Sequence, residues 1–382
     1  MDIITILKAA VKHDASDIFI TAGRPASLKV NGRLATLSQD VLTDDDARDL
    51  VISTMSDSQK KEFERDKECN YSISSAGAGR FRASALYQRN KIAMVLRRIK
   101  DEIPTIEELN VPEIVKELAM TKRGMIIFVG ATGSGKSTTL AAMVGYRNQN
   151  STGHILTIED PIEFDHKHGG CVVTQREVGV DTESYGVALK NSLRQAPDVI
   201  MIGEIRARDT MDYGITFAET GHLCLSTLHA NNSNQAMDRI INFFPEERHK
   251  QLFLDLSLNL KAVVSQRLIP KKDGTGRCVA VEILINTPLI ADLIEKGDIP
   301  EIKEIMKRSR EQGMQTFDQA IYDLYMSNEI TYEDALKNAD SENEVRLMIK
   351  LNPKDGETIG GDIDGMAIKP DEEDFGNTGS WS

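Results

Sequence analysis

The 382-residue sequence predicts an α/β protein: a mostly parallel sheet covered by helices, preceded by a smaller mixed α and β region and followed by short helices. Three observations carry that expectation. From Gly124 onward, short apolar strands at 125–129, 155–158, 199–202, 223–228 and 279–284 alternate with helical stretches, as strands buried on both faces do. The stretch from Lys100 to about Pro112 is polar and holds Pro104 and Pro112, which marks a linker. A glycine-rich run ending in lysine and serine sits between the first of those strands and a helix-compatible segment at 138–144.

The elements follow in order. Ile4, Leu7 and Val11 share one face of an expected first helix. Residues 17–21 form a strand that ends at the turn Ala22-Gly23-Arg24-Pro25. Residues 27–30, a turn at Asn31-Gly32 and then Arg33-Leu34 predict a hairpin. Thr43, ahead of Asp44-Asp45-Asp46, caps a second helix. Gly79-Arg80-Phe81-Arg82 leads into another strand and residues 94–99 into one more. Residues 288–350 are expected to form small helices with capping signals at Thr331 and Asp334. The last residues carry eight acidic side chains (Asp355, Glu357, Asp362, Asp364 and Asp371 to Asp374) against Lys354 and Lys369, with six glycines. So polar a segment cannot offset the entropy of ordering, and a disordered acidic tail is expected over 351–382. The expected divisions are an N-terminal domain at 1–110 with a linker to about 118, a nucleotide-binding domain at 119–288, a helical region at 289–350 and the tail.

Composition narrows the function. With 46 basic and 59 acidic residues the net charge is −13, which disfavours direct nucleic-acid binding. Apolar runs fall short of the roughly 20 residues that span a bilayer, and no signal peptide is read at the N-terminus. Cys69, Cys171, Cys224 and Cys278 are far apart without a CxxC pair, so reduced thiols in the cytoplasm are expected.

Gly130-Ala131-Thr132-Gly133-Ser134-Gly135-Lys136-Ser137, continued by Thr138, matches G-x-x-x-x-G-K-[ST] in full and in its strand-to-helix context. The glycines let main-chain amides curl around phosphate oxygens at a helix N-terminus. Lys136 would reach the β- and γ-phosphates and Ser137 would ligate Mg²⁺. Residues 199–202, followed by Gly203-Glu204, form an apolar strand delivering an acid to the end where a γ-phosphate lies; Glu204 would hold Mg²⁺ through water or orient the attacking water. Residues 155–163 are a second strand feeding Glu159, Asp160 and Glu163, a clustering that a nearby cation would justify. His222 and His229 bracket a strand. They are seven apart, on opposite faces and at opposite ends, a poor arrangement for ligating one metal; one of them could hydrogen-bond the γ-phosphate. An Asn-Lys-x-Asp sequence for guanine is missing, since Asn90-Lys91-Ile92-Ala93 lacks the acid.

The phosphate loop, the acidic box, Asp198 to Arg206 and the histidine box at 219–229 resemble, in order and spacing, the type II/IV secretion ATPase superfamily. Within it they are most similar to the type IV pilus retraction ATPases of the PilT/PilU family. Residues 15–25 and Asn31-Gly32-Arg33-Leu34 resemble that family's opening, and the resemblance covers about residues 1–350. It implies a PAS-like N-terminal domain, a RecA-like P-loop ATPase domain, and a homo-hexamer that hydrolyses ATP in the cytoplasm beside an inner-membrane pilus platform protein. By motif, Glu204 would activate water, Glu163 would lie near the γ-phosphate, and His229, with His222, would sense nucleotide state. The family also places N-domain arginines against the nucleotide, within or across subunits; Arg82, Arg97 and Arg98 are the candidates. A secretion or DNA-transfer ATPase and a nucleotide-gated adaptor are the alternative readings. The family's Ala-Ile-Arg-Asn-Leu-Ile-Arg-Glu segment corresponds here to Leu289-Ile290-Ala291-Asp292-Leu293-Ile294-Glu295-Lys296. Asp292 stands at the first arginine position. With the acidic extension, this resembles the accessory PilU branch that works with a PilT-like partner.

Overall fold

A computed structural model of the chain describes residues 2–30, 32–99 and 102–352. The expected acidic tail from 353 on and Asn31 of the hairpin turn lie outside the described residues.

Helix α1 (Ile3–Lys12) is capped by Asp2, whose carboxylate accepts from the Thr5 amide. Its buried stripe is Ile6, Leu7 and Ala10, whereas Ile4 is 50 % exposed and Val11 only partly covered. The expected Ile4–Leu7–Val11 face is thus rotated: Leu7 stays in the core, Val11 packs at its margin, Ala10 is fully buried and Ile4 turns to solvent. Strands β1 (Asp17–Thr21), β2 (Ser27–Val30) and β3 (Arg33–Thr36) follow, the last two as the expected hairpin. Thr43 and Asp46 form a capping box on α2 (Asp44–Ile52). Then come α3 (Asp57–Asp66), β4 (Glu68–Ser75), β5 (Gly79–Gln88) and β6 (Lys91–Ile99). Among the described residues these strands make an antiparallel sheet in the order β3-β2-β1-β6-β5-β4. Strand alternation sends Ile18, Ile20, Phe81, Ala83, Met94 and Leu96 into a core shared with α1, α2 and α3. The opposite face carries Arg80, Arg82 and Arg97.

The second sheet begins after α4 (Ile114–Ala119) with β7 (Gly124–Val129), all six of whose residues are buried. Next in the chain are α5 (Lys136–Asn150), β8 (Gly153–Glu159), β9 (Cys171–Glu177), α6 (Tyr185–Ser192), β10 (Val199–Ile202), α7 (Arg208–Glu219), β11 (Leu223–Leu228), α8 (Ser233–Asn242) and α9 (Glu246–Asn259). β12 (Leu260–Pro270) and β13 (Arg277–Ile285) complete the sheet, ordered β13-β12-β7-β11-β10-β8-β9. Met125, Ile127 and Val129 of β7 enter one core and Ile126 and Phe128 the other, so helices cover both faces and the strands read as unbroken apolar runs. All pairs are parallel except β12 with β13. The strand expected at 279–284 is therefore the antiparallel member: a short loop joins it to β12, too short for a crossover.

The expected C-terminal helices are α10 (Pro288–Lys296), α11 (Ile302–Arg308), α12 (Phe317–Met326), α13 (Tyr332–Asn338, capped by Thr331) and α14 (Glu342–Leu351). Phe317, Ile321, Val345 and Ile349 pack with Ile269 of β12 and Ala280 of β13, so part of this region rests on the parallel sheet's edge. The two sheets meet where Arg80 of β5 pairs with Glu177 of β9 at 3.2 Å; Ser72 of β4 donates to the same carboxylate. All four cysteines are free thiols.

Candidate active site

Parallel strands put their C-terminal ends on one edge, and there the site is assembled. The turn after β7 enters α5 through Gly130 to Ser137. Gly130 has φ +149, and a Cβ there would lie 2.5 Å from Ser134 Oγ and 2.6 Å from the Gln266 carbonyl, so only glycine fits. Lys136 is turned inward. Its ammonium donates to the Gly130 and Ala131 carbonyls at 2.8 and 2.9 Å, and burial lowers its pKa against the opposing pull of Glu204 and Glu163. Among the described residues, Ser134 Oγ is buried without a hydrogen-bond partner. An unpaired hydroxyl and a lysine folded onto its own loop suit an anion that would engage both.

A cleft of ≈ 440 Å³ opens beside the loop, lined by Thr132, Gly133, Gly135, Lys136, Ser137, Thr138, Glu159, Asp160, Glu163, Glu204 and His229 among others. Glu204 comes from the end of β10. One carboxylate oxygen accepts from Arg206 Nε at 2.8 Å, and the other lies 3.2 Å from His229 Nε2 at the end of β11. The Glu204 hydrogen bond holds the Arg206 guanidinium above its ordinary pKa. Thr227 Oγ1 donates to the Gly203 carbonyl at 2.7 Å, tying the tips of β11 and β10 together.

Glu159, at the tip of β8, differs from its neighbours. It is buried, and desolvation pushes its pKa up to about 7 despite hydrogen bonds from Thr157 and Gln175. Asp160 and Glu163 are exposed at the cleft wall. The acidic box thus divides into one buried acid, Glu159, whose pKa is raised by burial, and two exposed ones, Asp160 and Glu163.

The arginines occupy a second cavity of ≈ 880 Å³ that shares Thr138, Pro161, Glu163 and Phe164 with the cleft. Arg82, Arg97 and Arg98 all line it. Arg82 and Arg97 are register partners across β5 and β6. Arg97 pairs with Asp17 and Arg98 with Asp14, each at 2.9 Å, while among the described residues Arg82 makes no ion pair. His222 does not join the site. It lies before the first residue of β11, at the far end from His229, with Nδ1 near the Phe217 carbonyl and Thr220 Oγ1. A six-residue strand separates the two rings by roughly 20 Å, at ~3.3 Å per residue. The resemblance implies that His222, with His229, senses nucleotide state; within this chain only His229 of the two lines the cleft.

Sequence reasoning passed over Tyr185, Leu268 and Arg277, which also line the cleft. Tyr185 starts α6, and burial raises its phenol pKa. Leu268 and Arg277 sit on the hairpin β12–β13; an arginine between a glycine-rich loop and an apolar run was the available signal. Among the described residues there is no cluster of three or more His, Cys, Asp or Glu that could hold a metal alone. The oxygen donors at hand, Ser137 with the cleft carboxylates, suit a hard divalent cation that arrives with phosphate oxygens.

Comparison with known proteins bears on this geometry. The family described as "Type II/IV secretion system protein" matches residues 1–345. The chain is 60 % identical over 375 residues to the type IV pilus ATPase PilU of Pseudomonas aeruginosa, covering 98 % of each chain. It is 39 % identical over 339 residues to PilT of the same organism, covering 89 % of this chain and 98 % of that one. Among solved structures, the pilus retraction motor PilT with bound ADP is similar at a TM-score of 0.86 and 39 % identity, covering 91 % of this chain and all of that one. The Legionella pneumophila ATPase DotB is similar at a TM-score of 0.71 and 25 % identity, covering 92 % and 96 %.

Proposed function

The chain belongs to the type II/IV secretion system protein family, as an ATPase of its PilT/PilU group, and from that premise we propose that it is a motor of type IV pilus retraction that works beside a PilT-like partner. The observation that carries the reading is the convergence of Glu204, His229 and Arg206 on the phosphate-loop cleft.

The residues divide the work as follows. ATP docks its phosphates on the amides of residues 130–138, and Lys136 leaves the Gly130 and Ala131 carbonyls for the β- and γ-phosphates. Ser137 would hold Mg²⁺, and the ion would supply charge neutralisation when bound. Glu204 orients the attacking water and takes its proton, and His229, which bridges Glu204 to the cleft, reports the γ-phosphate. Glu163 stands between the phosphate cleft and the arginine cavity. Arg82, Arg97 and Arg98 bring positive charge toward the transferred phosphoryl group, where such charge lowers the barrier. Closure of the N-terminal sheet (domain 1–110) on the ATPase sheet (119–288) follows ATP binding, and product release reopens it.

The ring is a homo-hexamer in which successive closures transmit displacement to an inner-membrane platform protein, and the work is done in the cytoplasm. No described helix is long and apolar enough to cross a membrane. Accessory status is supported by α10, where Asp292 is paired with Lys296 at 2.6 Å and Leu289 is exposed. Deleting the gene in its host and complementing with wild type or Glu204→Gln tests this reading by retraction and twitching. Wild type restores motility and Glu204→Gln does not; full rescue by Glu204→Gln would make the chain an adaptor instead.

A further inference from the structure

Three consecutive residues of β12 reach three parts of the molecule. Gln266 donates to Thr139 Oγ1 on α5 at 2.8 Å. Leu268 lines the nucleotide cleft. Arg267 turns to the C-terminal helices. Its Nη1 donates to the Asn338 carbonyl at 2.7 Å, its guanidinium lies 4.0 Å from the Phe317 ring centroid, and its Nη2 pairs with Asp340. The same Nη2 lies 3.5 Å from the Asn231 carbonyl.

Asp340, between α13 and α14, gathers further donors. Lys303 Nζ reaches its carboxylate at 3.1 Å and Asn232 Nδ2 at 3.2 Å. Its own amide is fixed by Asp318 Oδ1 at 2.7 Å. Burial pushes the Asp340 pKa up, but Arg267 and Lys303 outweigh burial and hold it below the ordinary range. Donors therefore come to one shielded carboxylate from β12, α11 and the loop ahead of α8. Adhesion alone does not require this cluster, because Phe317, Ile269 and Ala280 already bury apolar surface between the helices and the hairpin. What an ionic cluster adds is direction.

The direction is toward the catalytic loop. Asn231 and Asn232 follow His229 by two and three residues, and His229 contacts Glu204 at 3.2 Å. The loop is held by β11 at one end and by the Asp340 cluster at the other. Ser233, next in the chain, is fixed as well: its amide and hydroxyl both donate to buried Glu282 at 2.7 Å.

We infer that Asp340 is a positioning residue for ATP hydrolysis, acting through Arg267 and Asn232 to set the 229–232 loop and with it the His229–Glu204 contact. The inference rests on the reading of His229 given above. Steady-state ATPase kinetics and thermal melting of the full chain test it, with Asp340→Ala, Asp340→Glu, His229→Ala and the double variant His229→Ala/Asp340→Ala. Asp340→Ala lowers kcat on the order of tenfold, as small misplacements of catalytic groups do. KM for ATP stays within about twofold, because the phosphate loop is untouched. Asp340→Glu recovers most of the rate, and the double variant is no slower than His229→Ala. Equal factors for Asp340→Ala in the wild-type and His229→Ala backgrounds would overturn the inference, as would a lower melting temperature with unchanged kcat. If Asp340→Ala fails to fold, Asn232→Asp serves. It keeps the helix-cap acceptor of α8, removes the donor to Asp340, and lowers kcat by a similar factor; unchanged kcat there overturns the inference too. Full activity of His229→Ala, by contrast, defeats the histidine reading itself and the route through it.

Discussion

The parallel sheet brings Glu159, Glu204 and His229 to the cleft as strand ends, whereas the antiparallel N-terminal sheet brings Arg82 and Arg97 to its neighbouring cavity from within strands. In the first, chain direction does the placing: every strand that runs beside β7 terminates on the same edge. In the second, register does it, and Arg82 and Arg97 face each other across β5 and β6 only because one hairpin pairs them so. Two like charges side by side cost free energy unless an acid offsets them. Asp17 does so for Arg97 at 2.9 Å, whereas among the described residues Arg82 has no ion pair and lines the cavity with Glu163 and Thr138. The anionic edge is matched by a cationic face on which, among the described residues, the Arg82 charge is held in reserve.

Removing that reserve is the sharpest way to break the comparison. Arg82→Ala lowers kcat by about 10²-fold, the usual scale for one positioned donor to a transition-state charge, with the urea midpoint unchanged. An unaltered kcat would show that the cationic face has no part in the chemistry. A smaller effect is expected at the seam between the sheets. Arg80→Ala leaves Glu177, whose side chain is 6 % exposed, with Ser72 and the Ile162 amide but, among the described residues, no cation, and costs about 2 kcal/mol by urea unfolding. A neutral result would mean that the seam is not held by this pair.

The smallest effect is that of Glu159→Gln. The folded state binds the Glu159 proton more tightly than the unfolded chain, whose value is near 4.5, so this carboxyl's contribution to stability falls as pH rises from there to about 7. Glutamine removes that decline. The variant is expected to melt on the order of 2 °C higher than wild type at pH 8, an advantage that disappears at pH 5. The same advantage at both pH values would contradict the buried-proton account.

Legibility follows the same contrast between the sheets. The phosphate loop, the strands β10 and β11, and Glu204 could be read because local runs of residues both build and place them. β9 was missed because an edge strand such as Cys171–Glu177 is half polar. β12 was missed because its apolar run continues directly from helix α9. The helical face of α1 was read with Leu7 and Val11 but with the exposed Ile4 in place of Ala10, because Ala10 carries little hydrophobic signal yet is fully buried. The spacing of His222 and His229 already sets them at opposite ends of one strand, and the fold shows which of those ends meets the cleft. The Asp340 cluster had no local signal at all, since its members come from four elements far apart in the chain.

Nucleotide binding and turnover measured together on purified Glu204→Gln test the central claim most directly. The account predicts ATP affinity close to that of wild type with hydrolysis slower by about 10²- to 10⁴-fold, the contribution of a positioned general base. Wild-type turnover in that variant would contradict it.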